Sequence, residues 1–134
     1  MAAGRTRFHT LLICRDVIKE SGNTTLRDLH DMIVVRRLPD RFDDLWVYAR
    51  FEHDGSGSEV DVRIAVRFPS GRTSTLHEAR VRLEADRPIL SSGHLEGLVF
   101  EELGRHVFTL EIDGEVVTGQ SFEVALTPQV IGRS

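Results

Sequence analysis

Glu59-Val60-Asp61-Val62-Arg63-Ile64-Ala65-Val66-Arg67-Phe68, the turn Pro69-Ser70-Gly71-Arg72 and the return run Glu78-Ala79-Arg80-Val81-Arg82-Leu83-Glu84 decide the fold of this chain. In the first run Val60, Val62, Ile64, Val66 and Phe68 alternate with Asp61, Arg63, Ala65 and Arg67, the period of a strand with one buried face. Pro, Ser and Gly then supply turn chemistry. Folding the runs across Ser70-Gly71 sets Val60 against Val81 and Val62 against Ala79 on the apolar face. The same register sets Glu59 against Arg82, Asp61 against Arg80 and Arg63 against Glu78 on the other. A slip of one residue would carry charge into the core, so the register is specified twice. The pattern predicts an antiparallel sheet, and it speaks of a fold rather than an activity.

Working outward, Phe8 to Cys14 is an apolar run of strand length. Lys19 to Asn23 turns the chain. Thr24 to Val35 reads either as one strand with a bulge or as a strand followed by a short extended segment. Arg36 to Phe42 reads as a loop. Asp43 to His53 is a strand with Leu45, Val47, Ala49 and Phe51 on one face, followed by a flexible turn at Asp54 to Ser58. Ala85 to Gly93, with Pro88, reads as a loop, and Leu95 to Phe100 as a strand. From Gly104, His106, Phe108, Leu110 and Ile112 alternate against Arg105, Thr109 and Glu111 up to the Asp113-Gly114 hairpin signal. The last strand changes apolar parity between Val117 and Phe122, which predicts a β-bulge near Gly119-Gln120. About eight strands with no segment of helical period imply an all-β, two-sheet antiparallel β-sandwich of immunoglobulin-like type. Residues 1–134 form one domain, with 1–6 and 128–134 expected as loose tails.

The totals fit that reading. The chain has 134 residues, 40% hydrophobic and 28% charged, with a formal net charge of −4. At this size folding buries roughly two-thirds of the unfolded surface. The acidic balance argues against a nucleic-acid binder, which carries a basic face. Sixteen Arg against one Lys, Lys19, suits carboxylate or phosphate contacts, but the Arg are dispersed among acids, as a coding preference would leave them. The single cysteine, Cys14, excludes an internal disulfide and fits a reducing compartment. Arg5 and Arg7 before the apolar run resemble a lipoprotein signal, but the run is too short and His9 interrupts it. No stretch has the length of a membrane span. These features together predict a cytoplasmic protein.

Cys14-x-Asp16, Thr25-Leu26, Pro39, Leu45 to Tyr48, Phe68-Pro69-Ser70-Gly71, Leu98-x-Phe100, Glu102-x-Gly104-x-His106-x-Phe108, Asp113-Gly114 and Phe122-x-Val124 follow one another in a characteristic order. In this, nearly the whole chain resembles an uncharacterised bacterial family of small single-domain β-sandwich proteins, grouped as a domain of unknown function. Leu103 stands where that pattern has Pro, and His106 where it has Tyr. The resemblance implies a fold and a bacterial origin, with no activity or cofactor attached.

Chemistry finds little purchase. Six histidines, His9, His30, His53, His77, His94 and His106, include no pair at ligand spacing. His77 is expected on the buried side opposite Ile64, and His106 at an apolar position. Calcium on Asp54 with Asp61 and Asp113 is weakly supported, because the Asp54-Gly55-Ser56-Gly57 loop offers a single carboxylate where a hard cation requires several, so no metal or cofactor is expected. Cys14 follows Leu11-Leu12-Ile13, the setting of an inert buried thiol. A hydrolase built on Cys14 and a histidine is the least favoured reading, and no catalytic residue is assigned. The Arg36-Arg37-Leu38-Pro39-Asp40-Arg41 loop is basic but offset by Asp40, Asp43 and Asp44. With odd positions of Leu45 to Phe51 inward, Trp46, Tyr48 and Arg50 share the opposite face, an aromatic-plus-Arg composition typical of interface hot spots. The alternative is that Trp46 belongs to the core. The chain is expected to act without catalysis by binding a protein partner or itself, through that face or an open edge strand. A small-molecule or carbohydrate-binding sandwich using the same aromatics is the second reading.

Overall fold

In a computed structural model of the chain, which describes residues 6–43, 45–53, 59–83 and 89–127, every regular element is a strand. In order they are β1 (Thr6–Glu20), β2 (Asn23–Leu29), β3 (Met32–Val35), β4 (Asp40–Phe42), β5 (Trp46–His53), β6 (Glu59–Arg67), β7 (Thr73–Arg82), β8 (Ile89–His94), β9 (Leu98–Phe100), β10 (Gly104–Ile112) and β11 (Glu115–Leu126). One sheet has the order β2-β1-β5-β8 and the facing sheet β3-β11-β10-β6-β7, while β4 and β9 form a small third pair. All pairings are antiparallel except that of β3 with β11. The expected tails (apart from Thr6, which opens β1) and the Asp54 to Ser58 turn lie outside the described residues.

The β6–β7 hairpin has the register its sequence demands: Glu59 opposes Arg82, Val60 Val81, Asp61 Arg80, Val62 Ala79 and Arg63 Glu78. The Arg80 guanidinium reaches Asp61 at 3.0 Å and Glu59 at 3.8 Å. Arg63 lies across from Glu78 but turns instead to Glu111 on β10, at 3.0 Å, and donates to the Thr75 hydroxyl at 2.7 Å. A bulge interrupts the ladder where Ala65 pairs with Thr75 and leaves Leu76 over. Inserting one residue puts two successive side chains on one side. His77 stands opposite Ile64 in the register as expected, but it is exposed rather than buried, and Leu76 takes the half-buried inward place.

Three further expectations give way. The loop expected over Ala85 to Gly93 holds strand β8 from Ile89, because β5 presents an open edge that the Ser- and Gly-rich segment fills by backbone pairing; residues 84–88 lie outside the described set. Residues 40–42 of the expected 36–42 loop form β4, which pairs with β9. The bulge of the last strand falls at Val117, between the partners of Leu110 and Glu111, and not at Gly119-Gln120. Gly119 answers a different need: a Cβ there would stand 3.2 Å from the Phe108 carbonyl oxygen.

The core lies between the two large sheets. Leu11, Ile13, Val47, Ala49 and Phe51 face Val60, Val62, Ile64, Val66, Phe108, Leu110, Ile112, Phe122 and Val124. Each such side chain contributes about 1.5–3 kcal/mol on burial. Phe108 and Phe122 stack with centroids 4.8 Å apart. His106 is fully buried among Phe68, Phe100 and Phe122. Its Nδ1 lies 3.0 Å from the Gly104 carbonyl, and its Nε2 has no partner among the described residues. Two of the quoted motifs meet here in space. The Glu102 carboxylate accepts both the Ser70 amide at 2.9 Å and the Ser70 hydroxyl at 3.0 Å, and Arg72 lies 4.1 Å over the Phe68 ring. Gly104, at φ 113°, sits against Pro69 in a conformation that favours glycine.

Candidate interaction surface

On β5 the odd residues Val47, Ala49 and Phe51, with Leu45 just before the strand, are no more than 1% exposed. The even residues therefore project from the outer face of their sheet. Trp46 and Tyr48 are half-buried there and Arg50 is exposed, so the three share one face as their parity predicts. Trp46 stands between Cys14 of β1 and His94 of β8. Its indole stacks on the His94 ring, with centroids 5.1 Å apart and planes 16° from parallel. His94 falls between the segment that reads as a loop, Ala85 to Gly93, and the strand expected from Leu95, and it closes β8 instead.

The imidazole is held from both sides. Its Nε2 donates to the Asp43 carbonyl, and its Nδ1 lies 3.5 Å from the Glu96 carboxylate. The Asp43 side chain in turn accepts the Gly97 amide at 2.9 Å and the Arg41 guanidinium at 3.0 Å. Those two hydrogen bonds, the Gly97 amide first, hold its carboxyl below the usual carboxylate range. The segments before β5 and after β8 are thereby tied together beneath the Trp46–His94 stack.

Beside the stack rises the root of the β1–β2 hairpin. Arg15 pairs with Asp28 at 3.8 Å, and Asp16 opposes Arg27. These four residues, with Trp46 and His94, line an open concavity of about 660 Å³. Two Arg and two Asp alternate around it, a balanced rim unlike the single-sign pocket that a phosphate or a metal ion needs. Among the described residues no three of His, Cys, Asp and Glu converge.

Cys14 is fully buried, and its thiol donates to the Asp16 carbonyl at 3.3 Å. Burial pushes its pKa up, so the sulfur is held as thiol rather than nucleophilic thiolate. Of the other histidines, His30 packs edge-on against Phe42 and His77 is exposed. No helix among the described residues is long and apolar enough to cross a membrane.

The model of a family of unknown function (DUF6941) matches residues 9–125, and the chain belongs to that family. No curated protein matches the chain.

Proposed function

We propose that this member of the DUF6941 family is a non-catalytic β-sandwich module that binds another protein or itself in the cytoplasm of a bacterium, through the outer face of the β2-β1-β5-β8 sheet. The observation that carries this reading is the half-exposed Trp46–His94 stack at the foot of a charged hairpin. An aromatic anchor beside Arg and Asp side chains that can exchange partners is the composition of a binding hot spot. The buried, protonated Cys14 argues against a thiol hydrolase. His94 already lies on one face of the indole, which argues against a carbohydrate-stacking platform. The parallel pairing of β3 with β11, while β1 joins the opposite sheet, supports the immunoglobulin-like type.

The test places a photo-crosslinking residue at Arg50, on the proposed face, and at Arg67, on the outer face of the other sheet. In the native host, illumination should give adducts of discrete mass from position 50 alone. Absence of an adduct at position 50, or the same adducts from both positions, overturns the reading.

A further inference from the structure

We propose that β3 pairs antiparallel with β3 of a second copy of this chain, about a two-fold axis normal to the sheet beside Ile33. The β3-β11-β10-β6-β7 sheets of the two chains then run on as one. This edge belongs to the sheet opposite the Trp46 face, so self-pairing here and docking at that face stand or fall separately.

β3 ends its sheet and pairs on one side only, with β11. The Glu123 amide donates to the Asp31 carbonyl at 3.1 Å, and the Thr127 amide to the Val35 carbonyl at 2.8 Å. Successive residues of a strand direct their N–H and C=O groups to opposite sides. Asp31, Ile33 and Val35 therefore face β11 with theirs, while Met32 and Val34 direct theirs away from the sheet. Among the described residues no strand or loop bonds to those outward groups. The side chains alternate as well. Ile33 and Val35 are no more than 2% exposed, whereas Met32 and Val34 are 54% and 50% exposed. The edge is thus apolar on its outer face and unpaired along its backbone.

The other edge of the same sheet is guarded. β7 carries a bulge and exposes the charged Glu78, Arg80 and Arg82, devices that keep an edge from pairing further. β3 has an unbroken register and no Pro or charge, so nothing within it resists another strand.

A second β3 satisfies this edge. Directly opposed residues of an antiparallel pair lie on the same face, so a two-fold axis passes beside a residue and never between two. Beside Ile33, the axis sets Met32 across from Val34 of the second copy, and Val34 across from its Met32. These are the residues with outward backbone groups, so each pair exchanges both N–H to C=O bonds, and Ile33 faces Ile33 between them. Their side chains meet on the outer face with Cβ atoms about 4.5–5.5 Å apart. An axis beside Val34 would set Met32 against Arg36. One beside Met32 would set Val34 against His30 and Ile33 against Asp31. Only the Ile33 axis gives both outward residues an apolar partner and bonds all their backbone groups within the two strands.

Sedimentation velocity across a concentration series should show a reversible dimer of the unmodified chain. Val34→Pro removes one outward amide from each copy and no bond to β11, so it should weaken dimerisation at least about tenfold. Met32→Lys and Val34→Glu, each alone, should also weaken it about tenfold or more, by setting a charge against an apolar side chain. Combined in one chain, they oppose unlike charges about the Ile33 axis but like charges about an axis beside Met32 or Val34. The double variant should therefore recover the dimer. In the unmodified chain, amide exchange at Met32 and Val34 should slow as concentration rises, by a larger factor than at Ile33 and Val35, a readout that stands even if a variant fails to fold. A chain that stays monomeric, a dimer indifferent to Val34→Pro, a double variant that does not recover, or amides at 32 and 34 that stay fast would each overturn the proposal.

Discussion

Replacing His106 tests the account of the core at the one position where it breaks its own chemistry. The imidazole is fully buried among aromatic rings, with Nδ1 bonded to the Gly104 carbonyl and Nε2 without a partner among the described residues. An unsatisfied buried polar atom costs about 1–3 kcal/mol, whereas a neutral hydrogen bond returns about 0.5–1.5 kcal/mol. Removing both by His106→Leu should therefore raise stability by about 1 kcal/mol. For a domain of this size that is about 3–5 °C in melting temperature. His106→Phe keeps an aromatic ring against Phe68, Phe100 and Phe122, but the larger ring subtracts part of the gain through crowding. Urea denaturation followed by circular dichroism measures both variants, with an unchanged m-value confirming that the same surface is exposed on unfolding. If both variants lose more than about 1 kcal/mol, the Nε2 atom has a partner, and the aromatic cage is wrongly described.

Trp46→Ala should cost about 2 kcal/mol, roughly half the loss for a fully buried Trp, because the indole is half-buried against His94. Thermal melts measure it, and a loss of 4 kcal/mol or more, about that of a fully buried Trp, would place Trp46 in the core and remove it from any docking face. The pH dependence of the Asp43 clamp has a defined sign. Its carboxyl titrates lower in the folded chain, so the clamp contributes fully above the ordinary value of 3.8 and is lost as pH falls through the lower folded value. Fluorescence of Trp46, the sole Trp of the chain, should change in that acid window. Asp43→Asn should abolish the change, and an identical acid transition in that variant would refute the assignment.

Local parity determined much of this protein before any contact was known. The alternation from Val60 to Phe68 fixed which side chains enter the core and which charges face each other, because a strand's two faces repeat every two residues. The same rule put Trp46, Tyr48 and Arg50 on one outer face. Even the bulge at Leu76 was legible in retrospect, since Leu76 and Ala79 cannot share a face at strict period two. What tertiary structure alone decided is which edges meet. Ile89 to His94 carries the composition of a loop and becomes a strand only because β5 offers it an open ladder, and the Trp46–His94 stack joins residues 48 positions apart through that pairing. Nor does the sequence announce that β1 outruns β5 and leaves β2 with no further strand beside it among the described residues. Strand propensity belongs to a segment, but an edge is a property of the assembled sheet, and the candidate surface is built from edges and cross-strand neighbours.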